Sequence, residues 1–468
     1  MNNSGTGPLF PIENIRDSLP VSGPELLPTM KRLTYNDKYT IVLRSKVMDN
    51  EKVYLLKLLS AAIRGQKPPD PDFDPVDWER IFSEAAAHEV HTLIYPAVKT
   101  LSLPVQPPPH VLDKWERICL LSATRQLQYM NEAYRVLQVL ADSNISVIVL
   151  KGLLLRELYP QSELRTMGDI DLLVKPIDVE LAGQLLKAEG YSRKEHNGLV
   201  DAFNSINFLN IELHYALFNP ERFGNLHDFE KQLWEHANYC TVGGQSAFTL
   251  SLEDNLIYLL VHMAKHFQNA GFGLRQLCDV VLFIEAYGQE LNWSYFGATI
   301  QPIGYEPFAM TVLETCRHFL GLNMPLPLTC NKQLIVDKDD VFIFIQDVIS
   351  AGVYGRKTES RSFGNGMMNE LQKSDNSKTL AKFAPYLSFI SHVLFPAYSK
   401  LGERYSYACK YPLLLPIAWL HRAFFVTFVR NSPQEVMSII KNAPVIASNR
   451  LDLLKKLNLM VGSDPNIK

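Results

Sequence analysis

The stretch "LRTMGDIDLLV", Leu164 to Val174, decides how the chain is read. Its second half is an apolar run with Asp169 and Asp171 set into it one residue apart. Side chains two apart on a strand point to the same face, so the aspartates project together while Ile170 and Leu172 turn toward a core. Their Cα atoms would stand about 6.6 Å apart, from a rise of roughly 3.3 Å per residue. Like charges at that spacing repel, and one pKa rises unless a cation intervenes. Mg2+, or Mn2+ in its place, removes the conflict, because hard cations take carboxylate oxygens together with the oxygens of a bound phosphate.

A third carboxylate is available in "NIELHY", Asn210 to Tyr215. On an extended segment Asn207, Leu209, Ile211, Leu213 and Tyr215 share one face, and Glu212 and His214 share the other. If this strand neighbours the aspartate strand, Glu212 reaches the same metals. Two ions about 3.5–4 Å apart could then steady the attacking oxygen and the leaving phosphate of an in-line displacement. Upstream, "NISVIVLKG" places a short β-branched strand, Ile145 to Leu150, between Asn144 and Gly152. Lys151 and Gly152 follow it and precede a helical turn. Glycine admits close approach of backbone to a phosphate, and helix N-terminal amides favour anions. Lys151 adds positive charge. Arg165 is placed to fork onto phosphate oxygens, or else to pin the loop through a salt bridge.

Helical patterns flank this unit. "NEKVYLLKLLSAAIRG", two short helices in "VDWERIFSEAAAHEVHTLIYPAVKTL", and a long amphipathic helix from about Val111 to Asp142 precede it. "PIDVELAGQLLKAEG" is a helix opening at Pro176 and closing at Gly190, and "YSRKEH" and "FNSINFLNIELHYAL" are further strands. "SLEDNLIYLLVHMAKHFQ" then starts a helical region with a Ser251–Asp254 capping signal. The expected organisation is a flexible arm over 1–40, a helical region over 41–143, a catalytic core over 144–250, a helical domain closing the cleft over 251–350, a mobile loop over 351–380 and a helical C-terminal region over 381–468.

Composition narrows the function. The 468 residues are 47% hydrophobic with a net charge of −3, which speaks against disorder and against an extended nucleic-acid face. The six cysteines, Cys119, Cys240, Cys278, Cys316, Cys330 and Cys409, lack the spacing of a zinc or redox motif and read as reduced core thiols of a cytoplasmic protein. The first residues show no basic start followed by an apolar core, so no secretory signal is expected. The apolar segment Tyr411 to Val429 is interrupted by Pro412, Pro416, His421 and Arg422; it reads as a buried helix in preference to a membrane-surface contact, and not as a span.

Together, "LKG…LYP…LRTMGDIDLLV" and "IELHY" resemble the nucleotidyltransferase superfamily of the polymerase-β-like fold, and within it an uncharacterised bacterial nucleotidyltransferase family, over roughly residues 50 to 320. The resemblance implies an α+β fold: a small mixed sheet with flanking helices between helical N- and C-terminal regions. It implies that Asp169, Asp171 and Glu212 are the metal carboxylates, and that Gly152 belongs to a phosphate-facing turn. Lys151, Arg165 and Gly168 join Gly152 as nucleotide-binding candidates, with His214, Lys265 and Arg275 in supporting positions. The implied reaction moves a nucleoside monophosphate from an NTP, ATP foremost, to an acceptor hydroxyl on a peptide, protein or small molecule, and releases pyrophosphate. Glu212 would also help deprotonate the acceptor. The chain departs from the superfamily in having Leu153 where a Gly or Ser usually follows the glycine, and in placing Asp169 seventeen residues beyond Gly152.

Plainer readings stand beside these. Asp-x-Asp also occurs as a surface pair, Glu212 could be an edge-strand residue, and His214 a satisfied core histidine. His262 and His266 at i, i+4 could hold zinc, but "HMAKH" lacks the glutamate of a zincin helix. Arg275 and Asp279 are spaced for a helix ion pair. A glycosyltransferase would want an α/β nucleotide-binding half upstream, and a haloacid-dehalogenase-type phosphatase would carry its Asp-x-Asp after its first strand. The strongest rival is an inactive nucleotidyltransferase-like binding or antitoxin-type module.

Overall fold

A computed structural model describes residues 48–196, 199–205, 210–218, 227–323, 336–355, 357–373, 395–396, 401, 403–425 and 432–460. The expected N-terminal arm, together with Asn207 and Leu209, lies outside the described residues. The chain divides into two units.

The first unit comprises Met1–Leu260, Leu277–Ile303 and Leu313–Gln333. It opens with helices α1 (Asn50–Ala62), α2 (Trp78–Ala87), α3 (His91–Lys99) and α4 (Pro109–Asp142). Asp49 and Asp77 cap the first two, accepting from the amides of Lys52 and Arg80. Trp115 of α4 is fully buried; its indole N–H donates to the His91 carbonyl at 2.8 Å, which fixes α4 against the start of α3. Asn144, with φ 58°, ends the long helix in the left-handed region that asparagine tolerates, and the chain turns into the sheet.

The sheet begins with β1 (Val147–Leu150), followed by the single-turn helix α5 (Gly152–Leu155) and β2 (Asp169–Val174). Helix α6 (Val179–Ala188) leads to β3 (Ser192–His196), β4 (Val200–Asn204) and β5 (Asn210–His214); helix α7 (His227–Gln232) leads to β6 (Asn238–Val242) and β7 (Gln245–Thr249). The seven strands lie in the order β3-β4-β5-β2-β1-β7-β6, with β2 at the centre. β2 pairs parallel with β5 and antiparallel with β1, and β1 pairs parallel with β7, so the sheet is mixed. Alternation sorts the residues by face. Val147, Val149, Ile170, Leu172, Val174, Ile211 and Leu213 pack with Ala133, Val136, Leu137 and Leu140 of α4 and with Ala182 and Leu186 of α6. By the same alternation Ile148, Leu150, Asp169, Asp171, Glu212 and His214 belong to the opposite face.

Two features were not expected from sequence. β4 lies in "VDAFN", too short and mixed to stand out beside "SRKEH". The β6–β7 hairpin follows a helix and carries only a two-residue turn, Gly243–Gly244, both at positive φ (57° and 81°). Such a type I′-like turn matches the strand twist and needs residues free of a Cβ penalty. At Gly243 the need is also steric, since a Cβ there would sit 2.3 Å from the Tyr134 ring.

The second unit comprises Val261–Gln276, Gly304–Val312 and Leu334–Lys468. The division falls within helices α8 (Leu252–Asn269), α9 (Leu274–Tyr287) and α11 (Glu306–Leu320); α10 (Trp293–Ile300) belongs to the first unit. The Ser251 hydroxyl accepts from the Asp254 amide at 3.1 Å, as the capping signal suggested. The unit continues with α12 (Lys338–Ala351), α13 (Glu359–Lys373), α14 (Ser406–Lys410), α15 (Leu415–Phe424) and α16 (Pro433–Lys456). Two expectations are corrected here. Residues 351–380 are not a loop throughout, because α13 occupies Glu359–Lys373: Arg361, Asn365, Met368 and Leu371 are buried at helical spacing, a pattern hidden by the glycines and serines around it. The apolar segment after Tyr411 is not a buried core helix either, because Leu413, Ile417, Leu420 and Phe424 all lie at the surface. Among the described residues no helix is long and apolar enough to cross a membrane. The described cysteines Cys119, Cys240, Cys278 and Cys316 are free and buried.

A buried ionic cluster holds the second unit together. Both oxygens of Asp347 accept from Arg361, at 2.6 and 2.7 Å, and Arg450 lies 3.4 Å from one of them. Arg450 also donates to the Asn365 side chain and the Phe267 carbonyl. Burial alone would raise the Asp347 pKa, but the two guanidiniums outweigh it and hold the carboxyl below its ordinary value. The stabilisation this gives is present above the unfolded carboxyl pKa, about 3.9, and is lost as pH falls through the lower folded value. Asp347→Asn should destabilise the chain by about 3–5 kcal/mol at neutral pH, because two buried cations lose their partner. Urea unfolding of the two proteins should show this gap narrowing only below about pH 4.

Candidate active site

The site grows from the register of three central strands. Asp171 on β2 lies opposite Glu212 on the parallel β5 and opposite Leu150 on β1. The residue after Leu150 is Lys151, so a cation arrives beside the buried aspartate by strand pairing alone. Its ammonium donates to Asp171 Oδ1 at 3.0 Å. His214, two residues beyond Glu212 on the same face, sets Nε2 2.9 Å from the same oxygen and 3.5 Å from Glu212 Oε2. Ligand atoms of Asp171, Glu212 and His214 all lie within 4.8 Å of one another.

Charge in this cluster is balanced from within. Burial works against a charged Lys151, yet Asp171 foremost, with Tyr258, Asp169 and Glu212, holds its pKa well above normal. The ammonium also sits 5.4 Å from the centre of the Tyr258 ring. Burial likewise disfavours a charged His214, but hydrogen bonds to Asp171 and Glu212 raise its pKa above the ordinary imidazole value. Lys151 adopts φ 45° and ψ −114°, a backbone conformation that L-residues rarely hold, at the turn between β1 and α5. Such an outlier costs on the order of 1–3 kcal/mol and persists only where the surroundings fix it.

Those surroundings include a second buried pair. Arg165 forks onto Asp279 of α9, Nε to Oδ1 at 2.8 Å and Nη2 to Oδ2 at 2.7 Å. The Tyr159 hydroxyl donates to the same Oδ1 at 2.7 Å. Asp279 was expected to pair with Arg275 along its own helix; its carboxylate instead takes Arg165 and Tyr159 from the segment that joins α5 to β2. The guanidinium lies against Gly152, where a Cβ would stand 3.1 Å from Nη1. Nη1 is buried without a hydrogen-bond partner. Gly152 is thus needed for close approach of an arginine, and α5 behind it is only one turn long, too short to carry the helix-end field expected for a phosphate.

The other candidates fall as follows. Asp169 is exposed at the start of β2, paired in register with Asn210, and does not join the Asp171–Glu212–His214 grouping. Gly168 is exposed, with open space where a Cβ would be. Lys265 and Arg275 belong to the second unit, as do His262 and His266, whose Nε2 atoms are 3.2 Å apart. No further His, Cys, Asp or Glu joins that histidine pair in a metal-like grouping among the described residues. His214, read from sequence as a supporting residue, lies within the Asp171–Glu212 cluster. The signal was the i, i+2 spacing of Glu212 and His214 on one face. Asp279 and Tyr159 gave no local signal, because each meets its partner across more than a hundred residues of sequence.

The family model of an uncharacterised nucleotidyltransferase matches residues 74–321, more than half of the chain. The chain belongs to this nucleotidyltransferase family, and nucleotidyl transfer is the chemistry of the class. Among solved structures, an antigenic nucleotidyltransferase-like protein from Paracoccidioides brasiliensis is similar at 16% identity, covering 40% of this chain and 92% of that one, with a TM-score of 0.26. No curated protein matches.

The Arg165–Asp279 pair makes a testable case. Asp279→Asn should destabilise the chain by about 3–5 kcal/mol, since a buried guanidinium loses its counter-charge. The double change Arg165→Met, Asp279→Leu should recover much of that loss in a urea titration, because no unpaired charge remains.

Proposed function

We propose that the chain transfers a nucleoside monophosphate from an NTP, ATP foremost, to a hydroxyl of a peptide, protein or small molecule, with release of pyrophosphate and dependence on Mg2+ or Mn2+. The observation that carries this reading is the convergence of Asp171, Glu212 and His214 from two adjacent strands, with Asp169 on the same face. The donor set fits a divalent cation: two carboxylates and an imidazole converge, with ligand atoms within 4.8 Å of one another. Bound metal ions would neutralise the triphosphate and the departing pyrophosphate.

The chain's own groups divide the remaining work. Asp171 and Glu212 hold the cation, and His214 orients both or joins them as a ligand. Asp169, at the exposed end of β2, supplies the second aspartate. The acceptor oxygen forms its bond to the α-phosphorus while the bond to the pyrophosphate oxygen breaks. Glu212, the more open of the two clustered carboxylates, takes the hydroxyl proton. Lys151 sets its ammonium against Asp171, and the pinned Arg165 keeps the Lys151–Gly152 turn in place. With an imidazole among its donors the site should favour Mn2+ more than an all-oxygen site would.

Asp169→Asn and Glu212→Gln should each lower transfer of label from α-32P-NTP by at least ~100-fold, with melting temperature nearly unchanged because neither side chain is fully buried. Label from γ-32P-NTP should not move. Normal transfer by Asp169→Asn would defeat the assignment, and NTP binding without transfer in the wild type would favour the inactive module. Asp171→Asn is a poorer probe: it strands buried Lys151 and should destabilise the fold by about 3–5 kcal/mol, read by urea unfolding.

A further inference from the structure

We propose that α15 and the turn before it form an in-plane docking face for an anionic phospholipid surface. The face is independent of the nucleotidyl-transfer reading. Ile417, Leu420 and Phe424 follow one another at steps of three and four, the spacing of one helix side, and Leu413 precedes them in the 3-10 turn Pro412–Leu414. Leu413, Ile417, Leu420 and Phe424 are 94%, 56%, 73% and 60% exposed, and Tyr411 at the start of the segment is 56% exposed. The inward side of the same helix is already satisfied: Ala418 is buried in a cluster with Tyr405 and Ala408. A surface helix ordinarily turns charged and polar residues outward. Single exposed apolar residues need no explanation, but a stripe in register marks a docking surface.

The charge around the stripe selects the occupant. From Arg404 to Gln434 the sequence contains no Asp or Glu, while Arg404, Lys410, Arg422 and Arg430 all lie within it. Arg404 stacks 3.7 Å from the centre of the Phe425 ring, and Lys410 lies beside Tyr411 at 5.7 Å, so cations sit next to the apolar side chains. An interface between two copies of this segment would set like charges against each other. A leaflet rich in anionic headgroups meets both features, taking the leucines and phenylalanine below its headgroups and the cations at its surface. Helix length fixes the orientation. Ten residues reach about 15 Å, roughly half of a hydrocarbon core, so the helix lies in the interface and does not cross it.

The test is co-sedimentation of the full chain with vesicles of phosphatidylcholine alone or with phosphatidylserine added. Binding should appear with phosphatidylserine, weaken as salt is raised, and be much lower on phosphatidylcholine alone. Replacing Leu413, Ile417, Leu420 and Phe424 together by Ser should reduce binding at least ~10-fold. The single changes Leu413→Ser and Lys410→Glu, both at exposed positions, should each weaken it without moving the melting temperature. Absence of binding to phosphatidylserine vesicles at low salt would overturn the proposal. So would equal binding by the serine variants, or a wild-type dimer in solution that the same variants abolish.

Discussion

One carboxylate oxygen, Asp171 Oδ1, organises the first unit. Two side chains meet it from opposite sides of the central strand: the Lys151 ammonium beyond the end of β1 and the His214 imidazole from β5. A buried aspartate on a central strand would be costly without them, since an unpaired charge in the interior is protonated or unfolds its surroundings. The strand order supplies both partners by register, so the same pairing that closes the sheet assembles the site. The backbone at Lys151 is the place where this arrangement is tightest. Its positive φ is tolerated because the ammonium is drawn inward by the carboxylates while Gly152 is pressed by Arg165.

Arg165 shows how a turn can be held by a partner far along the chain. Its fork is taken by Asp279, and its third nitrogen lies against the glycine of the turn. The helix that contributes Asp279 thereby sets the position of the loop between α5 and β2. This links a helix late in the chain to a turn early in it through one buried ion pair.

Much of this was legible in the sequence because it is local. The alternation in "DIDLLV" and "NIELH" fixes which side chains share a face, and the family likeness adds that the two strands are neighbours. Their parallel direction and the register that sets Asp171 against Glu212 come from the structure alone. The strand before Lys151, the long helix ending near Asp142 and the Ser251 cap were equally plain, each resting on a periodic pattern or a terminating residue. What escaped was non-local or masked by composition. Arg165 and Asp279 are brought together only by tertiary packing. The helix over Glu359–Lys373 hides its buried Arg361 and Asn365 among residues that usually mark loops. The segment after Tyr411 shows the limit of hydrophobicity as a guide, since an apolar stripe reads the same whether it faces a core or the outside.

The order of the strands also decides which backbone edges another chain could reach. β3 closes one edge of the sheet and carries the sequence "SRKEH", with Arg193 and Lys194 exposed. Arg193 is tied to the buried Asp201 of the adjacent strand. A second chain adding a strand at that edge would have to strip water from Lys194 and disturb the Arg193–Asp201 contact. Edges of this kind resist the open-ended stacking that leads to fibres, even though the interior strands, rich in valine, isoleucine and leucine, are the sort that stack readily once exposed.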